Sequence, residues 1–240
     1  MYRVRFSSAI ALAITATSAF AQTPAAPQPD GHRLRLATDS LEVYVVRLGH
    51  PQRTGFLIDR LDTVRVDGET MLRRIRRTTD AALGSSVDTI VHALATLQPR
   101  IVRSYSDRGL ERLDWQASRV VGVVEEPDSP ARSIDSPLPK GWYSSESFDL
   151  ILRASPLAEG YGVAVPSFGR EGSQVLTATV AGSEVVEGHG DTWRIEADVA
   201  GLPVTFWISK ASRRLVRQII HVSPVFQIMF VVAPPAGSSA

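Results

Sequence analysis

The chain has 240 residues, 44% of them hydrophobic and 21% charged, with a formal charge of +1 and no cysteine. The missing cysteine excludes disulfides, thiol chemistry and the lipid-bearing residue of a bacterial lipoprotein. The near-neutral balance gives no bulk electrostatic reason to seek nucleic acid, and beyond the start no run is long and apolar enough to span a bilayer.

Residues 1–21 read as a secretory signal peptide: Arg3 and Arg5, an apolar stretch, then the small-x-small end Ala19-Phe20-Ala21. Cleavage after Ala21 removes both arginines and turns the charge of +1 into −1. The expected location is the periplasm or the cell exterior. Residues 22–33, opening QTPAAPQPDG, are Pro- and Ala-rich and are expected as a disordered linker.

From 34 to 233 the pattern predicts a single antiparallel β domain. Strands are expected over 41–48, 55–66 and 69–79, the last two joined at Asp67-Gly68, a strong hairpin signal. Further strands follow over 86–97, 100–106, 110–116 and 119–125. Residues 126–140 hold Pro127, Pro130, Pro137 and Pro139 and are expected as a long crossing loop. Ser144 to Ser147, then Phe148, Leu150, Ile151 and Leu152, predict an N-capped short helix that Pro156 ends. Strands resume over 161–166, 174–187, 192–199, 203–209, 214–222 and 225–232. A turn or bulge is expected at Ala181-Gly182 and a turn at Gly188-His189-Gly190, with His189 taking an awkward dihedral. Residues 234–240 read as a disordered tail. About a dozen strands and one short helix make the fold mainly all-β. The expected form is a curved antiparallel sheet or half-barrel, curled to protect its edges, with the helix plugging or flanking the concave face.

The C-terminal part carries a pattern of its own. Phe148-Asp149 opens a helix that ends Ser155-Pro156-Leu157; strands containing Gly190-Asp-Thr-Trp-Arg-Ile, Thr205-Phe-Trp-Ile-Ser-Lys and Arg213-Arg-Leu-Val-Arg follow. This resembles the exported bacterial family called domain of unknown function 3108. More loosely, it is similar to the half-barrels of periplasmic lipoprotein carriers. The resemblance implies export, a twisted sheet around an apolar groove and a hydrophobic ligand. It implies no active site.

The residues themselves point away from catalysis. Histidines 32, 50, 92, 189 and 221 never fall at metal-ligand spacing, and neither an HExxH nor a G-x-S-x-G motif occurs. Asp59 and Asp62 lie on opposite faces of one strand, so they cannot share a cleft as an acid/base pair. No metal and no cofactor are expected, and an envelope hydrolase is the disfavoured alternative.

Met71-Leu-Arg-Arg-Ile-Arg-Arg is the sharpest polar feature. In a strand, Arg73 and Arg77 share a face with Met71 and Ile75, while Arg74 and Arg76 share the other with Leu72. One reading is an anion clamp beside grease, since arginine binds phosphate and carboxylate bidentately. The other is a solvated face with cross-strand ion pairs, worth a few tenths of a kcal/mol each. Trp193 and Phe206 are expected in the core. Trp207 falls opposite Val204, Phe206 and Ile208, either covering the sheet or walling a ligand. The leading expectation is a non-enzymatic periplasmic protein that binds an apolar or amphipathic ligand, lipid included, with Arg73, Arg77, Met71, Ile75 and Trp207 in its site. The alternative is an envelope structural module with a protein partner and no small-molecule ligand.

Overall fold

A computed structural model describes residues 26–82 and 84–233. The expected signal peptide and the 234–240 tail lie outside them. An N-terminal meander runs through β1 (Thr38–Arg47), β2 (His50–Val66), β3 (Glu69–Asp80), β4 (Gly84–Ala93), β5 (Pro99–Ser106), β6 (Gly109–Trp115), β7 (Arg119–Glu125) and β8 (Arg132–Pro137). The short β9 (Tyr143–Ser144) leads through a 3-10 turn, Ser145–Ser147, into α1 (Phe148–Ala154). A second meander follows: β10 (Gly162–Gly169), β11 (Gly172–Val186), β12 (Gly190–Val199), β13 (Leu202–Ser209), β14 (Leu215–Ser223) and β15 (Phe226–Val232). β1 pairs antiparallel with β15, so the meanders join into a single open curved sheet of 15 strands. Its edges are β8 and β9, and β9 pairs in parallel with β10.

Local chemistry sets the register. Asp67-Gly68 turns the chain with φ of 50° and 85°, the left-handed pair that a two-residue hairpin needs. It pairs Val66 with Glu69, and so Leu61 with Arg74 and Asp59 with Arg76. At Ala181-Gly182 the register of β11 against β12 shifts, so this is a bulge rather than a turn. Around His189 the flanking Gly188 and Gly190 take the positive φ, and the histidine does not.

All seven residues of α1 are buried. A helix that is covered all round needs neighbours all round, and the sheet supplies them. Leu150, Ile151 and Leu152 belong to a core with Leu41 and Val43 of β1, Leu57 and Leu61 of β2, Leu176 of β11 and Phe206 of β13. Phe148 meets Phe206 edge-on at 6.0 Å. A second core gathers Ile90, Val102, Leu113, Val124 and Ile134, closed by Phe168 of β10, which meets Trp115 of β6 at 6.3 Å. The two meanders therefore touch across the curve as well as along β1 and β15.

Four expectations need correction. The Pro-rich segment 126–140 contains an edge strand, β8, whose first residue supplies the Arg132 guanidinium to the Arg170 carbonyl at 2.7 Å. The expected linker is seated from its second half: Gly31–Arg33 forms a 3-10 turn, and the Asp30 N–H donates to the Ala154 carbonyl at 3.2 Å. Gly31 packs so closely that a Cβ there would strike the Leu94 carbonyl. The helix exists as expected, but no serine side chain caps it; the Ser147 hydroxyl lies 3.4 Å from His92 Nε2 instead. Trp193 is half-buried at the margin of the core, whereas Phe206 is 2% exposed.

Candidate functional site: a cleft with two unlike walls

Side chains that face the helix form rows across the sheet, because residues paired in register share a face. One row runs Asp59, Arg76, Asp88, Ser104 and Glu111 across β2 to β6. The next row along the strands runs Arg74, Ile90, Val102 and Leu113. The first row is polar, while the second is apolar beyond Arg74. In the C-terminal meander the rows are mostly greasy: Val204, Ile220 and Ile228 pair across β13 to β15, as do Phe206, Gln218 and Phe230.

These two faces enclose a cleft of about 960 Å³. Val199, Leu202, Val204, Ile220, Ile228 and Phe230 line one wall. Arg76, Asp88, Ser104 and Glu111 line the other, and Ser145, Glu146, Phe148 and Asp149 form the end where the helix begins. Arg170, from the β10–β11 turn, stands at the rim and donates to the Arg108 carbonyl at 2.9 Å.

Behind the cleft lies a closed charge network. Arg74 is 1% exposed and makes two hydrogen bonds to Asp59, both 2.8 Å, and two to Asp149, at 2.8 and 2.7 Å. Its remaining donor direction meets the Glu146 carbonyl at 3.4 Å. Arg153 completes the group, 3.5 Å from Asp59, and donates through Nε to the Arg213 carbonyl at 2.9 Å. Two guanidinium and two carboxylate charges cancel. Burial works to raise the Asp149 carboxyl, yet the Arg74 charge and hydrogen bonds hold it below the usual carboxylate range. His92 beside it is wholly buried, and burial pushes it down to about 4. It is therefore neutral, with Nδ1–H donating to the Leu97 carbonyl at 3.0 Å.

The carboxyls inside the cleft are not matched in this way. Glu111 is 4% exposed, and its Oε1 is buried without a hydrogen-bond partner. Burial, then the Glu146 charge, pushes it up to about 7. Burial and then Asp88 raise Glu146 as well. Glu146 is accessible to water, but protein surrounds it; the surface it exposes is that of the cleft. Arg76 faces these acids from β3 with its Nε buried and unpartnered.

The residues expected to bind ligand fall elsewhere. Arg73 lies on the outer face in a bidentate pair with Asp62, both hydrogen bonds 2.8 Å. Arg77 is exposed, Ile75 is half-buried and Met71 is buried, and none of the three lines the cleft. Trp207 covers the outer face with Val186 and Val216, donating Nε1–H to Glu184 at 2.8 Å under the Arg217 guanidinium. The two faces of β3 are distinct, and the one that looks into the cleft carries Arg74 and Arg76 rather than Arg73 and Arg77. A signal existed: the Asp67-Gly68 turn sets Arg74 opposite Leu61, so Arg74 and Arg76 share the face of the buried Leu57 and Leu61. Glu111 and Glu146 left no such trace.

A comparison with curated proteins gave no match. Among solved structures, the chain is similar to a beta-barrel-like protein of domain of unknown function DUF1849 from Brucella abortus, at 10% identity and a TM-score of 0.45. That likeness covers 83% of this chain and 97% of the other. The family model described as protein of unknown function (DUF3108) matches residues 53–229, and the chain belongs to that family.

Proposed function

We propose that the protein is an exported, non-enzymatic carrier or sensor that holds one amphipathic molecule in the cleft. The apolar chain lies on the wall of Val204, Ile220 and Ile228; the polar head turns to Arg76, Asp88, Glu111 and Glu146. One observation carries the reading: a cleft of about 960 Å³ whose walls differ in kind. Small-molecule sites have about 300–1,000 Å³, mostly apolar with a few converging polar groups. Export rests on residues 1–21, and a mature N-terminus at Gln22 would bear it out.

Native mass spectrometry of the protein purified from its own source tests the binding. The expected result is one retained amphiphile, lost in Ile220→Trp, which fills the apolar wall while the fold persists. A ligand-free protein that also takes up no dodecanol would overturn the proposal. A second reading has one observation in its favour: a carboxyl held near 7 in a cleft suits a general acid or base. Turnover of any substrate that Glu111→Gln abolishes would establish it.

A further inference from the structure

We propose that the head group seated at the polar end of the cleft carries a protonated amine. This deepens the amphiphile reading and rests on it. Three carboxyl side chains, Asp88 of β4, Glu111 of β6 and Glu146 of the turn before α1, face that end, and Arg76 of β3 is the guanidinium set among them. Arg170 at the rim, and Arg132 on β8 behind it, are the other cations Glu111 feels. Asp59 and Asp149 contribute nothing more, since Arg74 and Arg153 neutralise them. Asp107, Glu126 and Glu171 also line the cleft and only Arg108 joins Arg76 and Arg170 there, so apart from the neutralised Asp149 the lining sets six carboxyls against three guanidiniums.

The shortage is visible in an orphaned atom. Glu111 is 96% buried, lines the cleft, and its Oε1 accepts no hydrogen bond. Buried acceptors in folded proteins nearly always find a donor. An ammonium brings three donors and one positive charge, and so answers both deficits. A carboxylate or phosphate head alone would add a further negative charge to three carboxyls and leave Glu111 unpartnered. The raised position of Glu111, near 7, and of Glu146 agrees with an acidic site lacking its counter-ion.

The test is calorimetric titration of dodecylamine, dodecanol and dodecanoate, below their micelle-forming concentrations, into the full mature chain. At pH 8 dodecylamine should bind about tenfold more tightly than dodecanol, and dodecanoate more weakly than either. At pH 6 Glu111 is largely protonated, so binding the ammonium should release its proton to the buffer, read from two buffers of different ionisation heat. In Glu111→Gln the amine-to-alcohol ratio should fall toward one and the proton release should shrink, Glu146 being the other raised carboxyl. Arg73→Glu, on the outer face, should keep both. Dodecanoate matching dodecylamine, or an amine preference that survives Glu111→Gln, overturns the amine assignment while dodecanol binding upholds the cleft reading. Failure of all three chains to bind overturns both.

Discussion

Arg74 and Arg76 stand two residues apart on one face of β3 and have opposite surroundings. Arg74 is enclosed by Asp59 and Asp149, with its donors occupied and Arg153 balancing the charge. Arg76 looks into the cleft with its Nε unpartnered, among three acids of which Glu111 has a bare Oε1. Burial alone does not separate a structural charge from a functional one, because Glu111 of the open cluster is as buried as Asp59 and Asp149 of the closed one. Completeness does. A buried network is stable when each member is matched, and a gap in it is a cost that some other group can remove. The fold uses the first cluster to anchor the helix to β2 and β3, and leaves the second open opposite an apolar wall.

Breaking the closed cluster should have the largest effect. Arg74→Met strands two buried carboxylates, so it should destabilise by about 3–5 kcal/mol in chemical denaturation. Arg74→Lys should recover little of that, since an ammonium cannot make two bidentate pairs. A loss under about 1 kcal/mol would mean the network is decoration and the comparison fails.

The open cluster should respond with the opposite sign. Glu111 is raised to about 7 in the fold against 4.5 in the unfolded chain. Below the unfolded value it is protonated in both states and costs nothing. As pH rises toward 7 the unfolded chain releases its proton first, and stability is lost. Glu111→Gln lacks that cost, so it should gain about 1–3 kcal/mol at pH 8 and almost nothing at pH 4. A mutant less stable than wild type at pH 8 would show that Glu111 has a stabilising partner in the fold.

His92 sharpens the comparison from the acid side. Its value of about 4 in the fold lies below the unfolded 6.5. The unfolded chain therefore binds the extra proton as pH falls from 6.5 to about 4, and wild-type stability should drop across that window by about 1–3 kcal/mol. His92→Gln, which can keep a donor for the Leu97 carbonyl, should flatten it in pH-dependent melting. The smallest effect belongs to the outer face. Arg73→Ala removes a pair with Asp62 that is a third exposed, and should cost less than about 1 kcal/mol.

Strand alternation and the Asp67-Gly68 turn made most of the sheet legible in the sequence, because both act over a few residues. β8 was hidden because Pro127, Pro130, Pro137 and Pro139 read as loop, and an edge strand tolerates prolines at its ends. The seat of Gly31 under Leu94 is a contact between distant segments and leaves no local mark. The site was half legible. The two faces of β3 were distinguishable, and hairpin register placed Arg74 and Arg76 inside with Leu57 and Leu61. Glu111 and Glu146 come together through three hairpins and the helix entry, which no local pattern reports.

The cleft itself is tested most directly by methyl NMR during titration with dodecanol. Ile220, Ile228 and Val204 line the apolar wall, whereas Val186 and Val216 sit on the outer face beneath Trp207. Saturable shifts are expected at the first three and none at the last two. Shifts confined to Val186 and Val216, or no saturable shift at all, would contradict it.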